Sequence, residues 1–248
     1  MNATKIIMEG FTNCGSTDDI DIWKSQREYC ISYAGKMLMH LDLRSDPSIL
    51  SVAKEISDDA IAEIFMKRIL PLIFYQKNLA IPLHATMVMK DQQTVAFVGA
   101  SFAGKSTLAA YFAAYKGFHV VSDDILPIFA DKESAFTYSM VTKLRLREDS
   151  AQYFDKTDIK HIELISPIKL HNIFVISEDK EIICKRLGNP LEILLKNLFA
   201  SYLSDLSPSF INRVLSTAPF LSVFSLSYPK TYDLLEDVSI NVLDILNN

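Results

Sequence analysis

Residues 99–106 read Gly-Ala-Ser-Phe-Ala-Gly-Lys-Ser, a complete G-x-x-x-x-G-K-[ST] pattern, and no other feature of the chain restricts its fold so tightly. The pattern carries a mechanism only where it joins a strand to a helix. Upstream, Thr94-Val95-Ala96-Phe97-Val98 is short, apolar and partly β-branched, as a buried strand should be; downstream, residues 107–114 are rich in helix formers. The loop therefore ends at a helix N-terminus. There, unbonded backbone N–H groups and the positive end of the helix dipole face one point, which favours a polyphosphate. Gly99 and Gly104 permit the tight path, Lys105 can reach the β- and γ-phosphate oxygens, and the Ser106 hydroxyl can ligate Mg²⁺. With only 7 glycines in 248 residues, a chance match is rarer here than in an average chain.

A chain of this length can bury one large α/β core, with or without a small added domain. No run of 18 or more apolar residues is present, and Met1-Asn2-Ala3-Thr4-Lys5-Ile6 lacks the basic-then-apolar design of a signal peptide. A cytoplasmic protein without a membrane partner is the expectation. Cys14, Cys30 and Cys184 have no metal or redox spacing, so reduced, mostly buried thiols are expected. The net charge of -5 argues against a general nucleic-acid binder.

Along the chain, residues 1–76 read as a small β-rich unit with a connecting helix, and residues 77–248 as the core that carries the loop. Tyr29-Cys30-Ile31-Ser32-Tyr33 and Lys36-Met37-Leu38-Met39-His40-Leu41 flank Ala34-Gly35 as a hairpin. Ser57-Asp58-Asp59 caps a helical pattern over 60–74, which Pro71 should kink. A strand is predicted over 81–89, then the loop strand and loop helix, with Gly117 as helix stop and a second buried strand at His119-Val120-Val121-Ser122. Strands over 170–176 and 221–228 and helices over 190–203, 210–218 and 231–246 complete the pattern. Strand, helix, strand in succession implies a mainly parallel sheet flanked by helices, an α/β fold.

A phosphate-binding loop alone does not separate a switch, a motor and a kinase. Asp123-Asp124, at the end of the strand after the loop helix, adds the missing chemistry. One carboxylate there can hold Mg²⁺, directly or through water, and the other can accept the proton of a hydroxyl that attacks the γ-phosphate. Which of the two takes which task is left open by their adjacency.

The set Leu83-His84-Ala85, residues 99–106, Gly117 and Ser122-Asp123-Asp124 resembles the catalytic core of HPr kinase and its relatives. Lys143-Leu144-Arg145-Leu146-Arg147-Glu148-Asp149-Ser150-Ala151 is similar to a segment of a compact branch of that family, which includes the kinases that phosphorylate the C-terminal serine of lasso peptide precursors. The resemblance spans roughly residues 81–150. It implies a P-loop kinase core and ATP with Mg²⁺ as cofactors. Gly99, Ser101, Ala103, Gly104, Lys105, Ser106 and Thr107 then form the nucleotide cradle, Ser106 and Asp123 the metal contacts, and Asp124 the general base. His84 would orient or tune the aspartate. Arg145, with Lys143 or Arg147, would neutralise phosphate or hold an acidic substrate tail, against the plainer alternative of an exposed strand edge. Hexamers occur among HPr kinases, so the resemblance admits a homo-oligomer.

Two departures bear on the substrate. No acidic, arginine-containing signature of the bifunctional HPr kinases follows between Ser150 and Asn189, and residues 1–76 do not look like their N-terminal domain. Reverse phosphorolysis and HPr as acceptor are therefore not expected. The expected activity is γ-phosphate transfer to a serine-type hydroxyl of a precursor peptide. Its rivals are a kinase of a small hydroxyl metabolite or free amino acid, and a nucleotide-controlled binding protein without transfer activity. Neither Asn-Lys-x-Asp nor Leu-Ser-Gly-Gly-Gln is present to support a switch or a transport ATPase.

Overall fold

The structure is a computed structural model that describes residues 11–17, 20–25, 28–33, 36–42, 48–52, 57–140, 144, 146, 148–154, 159, 166–199 and 206–247. The chain divides into two compact units, Met1–Leu79 with Ala200–Pro208, and Ala80–Phe199 with Ser209–Asn248.

In the first unit, strands β1 (Thr12–Thr17), β2 (Ile20–Lys24), β3 (Glu28–Tyr33), β4 (Lys36–Asp42) and β5 (Ser48–Val52) form an antiparallel meander in sequence order. The anticipated β3–β4 hairpin is present, with Tyr33 opposite Lys36 and a one-residue register shift between Ile31 and Ser32 that puts Tyr29 opposite Leu41, while its Ala34-Gly35 turn lies outside the described residues. Cys30 is a free, buried thiol whose pKa is pushed up to about 11 by burial and by the Glu28 carboxylate. The helical pattern after Ser57 is broken in an informative way. The Ser57 hydroxyl accepts from the Ala60 N–H at 3.3 Å and starts α1 (Asp58–Ile64); a π turn, Phe65–Ile69, follows before α2 (Leu70–Gln76). Pro71 falls in the first turn of α2, where its missing N–H is not required. The anticipated kink is thus a π turn.

The second unit contains two sheets. Strands β6 (Ile81–Leu83), β7 (Ala85–Lys90) and β8 (Gln93–Val98) lead into α3 (Lys105–Tyr115), which Gly117 ends at φ +74°. Next come β9 (His119–Ser122), β10 (Leu126–Ala130), β11 (Ala135–Thr137), the short α4 (Glu148–Ala151), β12 (Ile168–Lys169), β13 (Asn172–Glu178) and β14 (Ile183–Leu187). Helices α5 (Pro190–Lys196) and α6 (Pro208–Thr217), strand β15 (Ser222–Tyr228) and α7 (Leu235–Leu246) complete it. The larger sheet has the order β14-β15-β13-β8-β7-β9, the smaller β12-β11-β10-β6.

A mainly parallel sheet was the expectation, and the observed sheets are mixed. In the larger one β13 pairs parallel with β8 and β15, while β7 pairs antiparallel with both β8 and β9, and β14 antiparallel with β15. The strands joined by the loop helix, β8 and β9, therefore run in the same direction but are not neighbours. β7 lies between them because a two-residue turn at Asp91-Gln92 folds it back onto β8. The smaller sheet is antiparallel throughout. Strands β10, β11, β12 and β14 carry no strong signal in the sequence, and α5 stops at Lys196, short of the expected 203.

Helix α3 packs on the larger sheet through Leu108, Phe112 and Ala113, with Val238 and Val242 of α7 in the same apolar cluster. Phe97 of β8 is fully buried, its ring centroid 5.6 Å from Phe112 and 6.3 Å from Phe174. Phe97 thereby ties the loop strand, the loop helix and β13 into one contact. Phe97→Ala is expected to cost about 3–5 kcal/mol in urea unfolding; a loss below about 1 kcal/mol would show that this cluster does not hold the loop strand in place.

Candidate active site

The site is built where two strands change sheets at the same level. β7 and β9 pair in the larger sheet, with Met87 opposite Ser122; β6 and β10 pair in the smaller, with Leu83 opposite Leu126. The one strand anticipated over 81–89 is broken at His84, whose backbone N–H donates to the Asn197 carbonyl at 2.9 Å. Residues 84–86 consequently lie across from residues 123–125. This juxtaposition brings His84 and Thr86 to the aspartate pair.

Asp123 is buried at 2% exposure. Its Oδ1 accepts from the Thr86 hydroxyl at 2.7 Å and from the Ser106 hydroxyl at 2.9 Å. Asp124, next in the chain, adopts the left-handed region at φ +67°, which Asp tolerates better than most residues. The turn separates the two carboxylates. Asp123 goes beneath the first turn of α3, and Asp124, half-buried, lines an open cleft.

The phosphate-binding loop follows the path its sequence requires. Gly99 has φ +150° and Gly104 φ +107°. A Cβ on Gly99 would lie 2.9 Å from the Ile176 carbonyl oxygen, and one on Gly104 would lie 2.9 Å from the Tyr228 hydroxyl. At Gly99 a side chain would strike backbone, and at both positions the positive φ strains any residue with a Cβ. Ala103 is buried, and its N–H donates to the Ala100 carbonyl at 3.1 Å, closing the loop. Lys105 is buried and its Nζ donates to the carbonyls of Gly99 and Ala100, each at 3.0 Å. Burial lowers its pKa, and the charges of Asp124 and Asp123 oppose that shift.

The cleft has a volume of about 470 Å³, the size of a small-molecule site. Among the residues anticipated from sequence, His84, Ser101, Gly104, Lys105, Ser106, Thr107 and Asp124 line it. Gly99, Ala103 and Asp123 support it from behind. His84 also presents its ring edge-on to Phe199, with centroids 6.0 Å apart. Lys143, Arg145 and Arg147 lie outside the described residues, whereas Leu146 between them forms part of the cleft wall. Phe102, at the loop tip, is 75% exposed and held at φ +66°.

Sequence reasoning missed the rest of the lining, which Ser150, Tyr228, Lys230, Thr231, Tyr232 and Leu235 supply. Thr107, Ser150 and Tyr232 form a chain of hydroxyls, 3.2 Å from Thr107 to Ser150 and 2.9 Å from Ser150 to Tyr232. Tyr153 stacks on Tyr232 with ring centroids 3.8 Å apart. Burial raises the pKa of Tyr228, so its hydroxyl stays neutral beside the loop. One signal could have found part of this lining: Tyr228 ends a strand and Pro229-Lys230-Thr231 follows it directly, and ligands in open α/β sheets gather at the carboxyl ends of such strands.

No family model matches this sequence, and no curated protein does so either. Among solved structures, the HPr(Ser) kinase/phosphatase from Coxiella burnetii is similar over 67% of this chain and 92% of that one, at 12% identity and a TM-score of 0.36. No helix among the described residues is long and apolar enough to cross a membrane.

The buried carboxylate offers a direct test of the site's construction. Thr86→Val keeps the shape and removes one donor to Asp123, and is expected to cost about 1–3 kcal/mol in urea unfolding. Unchanged stability would mean that the Thr86 hydroxyl does not hold Asp123.

Proposed function

We propose that this cleft transfers the γ-phosphoryl group of ATP to a hydroxyl group, with Asp124 as general base. The observation that supports the reading most is the convergence of three groups. A phosphate-binding loop with its lysine, a carboxylate on the same cleft wall, and a second carboxylate bonded to the loop serine occupy one place.

Each residue has a task that follows from its position. The N–H groups of the first turn of α3 and the Lys105 ammonium face the phosphates and favour their negative charge. On entry of a nucleotide, Lys105 exchanges loop carbonyls for phosphate oxygens, which are stronger acceptors. Ser106 and Asp123, one hydroxyl and one carboxylate already 2.9 Å apart, suit Mg²⁺, an ion that completes its shell with water and substrate phosphate. That ion, when bound, withdraws charge from the phosphate oxygens. The acceptor oxygen forms its bond to the γ phosphorus while the bond from that phosphorus to the bridging oxygen breaks. The hydroxyl proton passes to Asp124, and ADP leaves with the bonding pair. His84, on the same wall, positions the carboxylate. Phosphoryl transfer of this kind needs alignment and charge neutralisation more than covalent chemistry.

The resemblance of residues 143–151 to the branch that includes the lasso precursor kinases supports a peptide acceptor, phosphorylated on its C-terminal serine. Lys143, Arg145 and Arg147 would then meet phosphate or an acidic peptide tail. The rival acceptor is a small hydroxyl metabolite or free serine.

Asp124→Asn is expected to lower ADP formation about 10²- to 10⁴-fold while the affinity for Mg-ATP stays within about threefold. Transfer at the wild-type rate by this variant would remove Asp124 as general base, and absence of transfer by the wild type to any acceptor, with Mg-ATP still bound, would favour a nucleotide-controlled binding protein. Labelled ATP offered with a peptide ending in Ser, the same peptide with that Ser moved inside, and free serine separates the acceptors. Equal labelling of both peptides would remove the C-terminal reading, and preferential labelling of free serine would remove the peptide altogether.

A further inference from the structure

We infer that Lys230 is a second polyphosphate-binding cation of this cleft, held in reserve by Glu178 and transferred to the phosphates when a nucleotide enters. The inference rests on the nucleotide site proposed above.

Placement supports it first. Lys230 lies in the loop after β15, and β13 pairs parallel with both β15 and the loop strand β8. The loop after β15 therefore opens at the same edge of the sheet as the phosphate-binding loop, and Lys230 lines the cleft together with Lys105. The backbone on either side is anchored. The Asp179 N–H donates to the Tyr228 carbonyl at 3.2 Å, and the Thr231 N–H to the Pro229 carbonyl at 2.8 Å. A fixed Cα with a long, flexible side chain lets the ammonium pivot without moving the loop.

Its present partner is easily replaced. Lys230 Nζ lies 3.3 Å from Glu178 Oε2, and the two side chains are 41% and 66% exposed. An ion pair between such exposed groups contributes little to stability. A phosphate facing the cleft offers more negative charge and more acceptor atoms than one solvated carboxylate.

Charge balance supplies the third argument. Asp123 and Asp124 already share the region with Lys105, and both act on its charge. One ammonium set against two carboxylates leaves the phosphates without a net positive partner from these side chains. Among the described residues that line the cleft, Lys230 is the other lysine. Its transfer brings in a positive charge that now faces solvent-exposed Glu178.

The test is Mg-ATP binding to the full chain by calorimetry, at low and at high salt, for the wild type and three variants. Lys230→Met is expected to bind Mg-ATP about tenfold more weakly at low salt, the loss of one charged contact. The difference should shrink as salt rises, because the missing attraction is Coulombic. Lys230→Arg should restore most of the affinity. Glu178→Gln, which removes the competing acid, should bind about two- to threefold more tightly. Melting curves of all three should match the wild type, since both residues are exposed. Wild-type binding of Mg-ATP with equal affinity in Lys230→Met would overturn this inference and leave the nucleotide site standing. Failure of the wild type itself to bind Mg-ATP would overturn both.

Discussion

Two hydroxyls donated to one buried carboxylate hold this site together. Asp123, at the end of β9, binds Thr86 from β7 and Ser106 from the first turn of α3. A carboxylate that deep would be costly to desolvate if it stood alone, and hydrogen bonds to a charged acceptor are among the stronger ones. The consequence is geometric. The end of one strand, the start of its antiparallel neighbour and the start of the loop helix are fixed relative to one another, and the cleft inherits that rigidity.

The rest of the architecture can be understood from this point outward. β6–β7 and β9–β10 each leave one sheet for another at the residues to which we assign the chemistry, His84 on one side and Asp123-Asp124 on the other. A strand that changes sheets must bend, and a bend breaks the alternation of side chains. That break lets adjacent aspartates do different things. One is sequestered under the helix and the other faces the cleft, with the left-handed backbone of Asp124 as its local cost.

Much of this was legible beforehand, and the reasons differ by residue. The loop could be read because glycine at 99 and 104 answers to a local need, backbone at φ +150° and +107° that other residues rarely adopt. The Asp123-Asp124 pair could be placed because it ends an apolar run directly after the helix stop at Gly117. The loop helix was found by its run of helix formers, and the two C-terminal elements by their period. Thr86 was hidden in an ordinary strand pattern, since nothing local reveals that a threonine will meet a carboxylate 37 positions away. The part of the lining that comes from Ser150 and from residues 228–235 was hidden for the same reason. Strands β11 and β12, of three and two residues, are too short to show a period at all.

By itself, the sequence determined a phosphate-binding loop between a buried strand and a helix, an acidic pair after the next strand, and a hairpin-built unit before them. These are local matters of glycine conformation, apolar period and turn chemistry, each encoded within a few residues. Only the tertiary structure decided that β7 separates β8 from β9, that the sheets are mixed, and that Thr86, Ser150, Tyr228, Lys230 and Tyr232 belong to the cleft. Strand order and cleft membership arise from contacts between distant segments. The free energy of such contacts comes from burying both partners together, and neither segment carries that information alone.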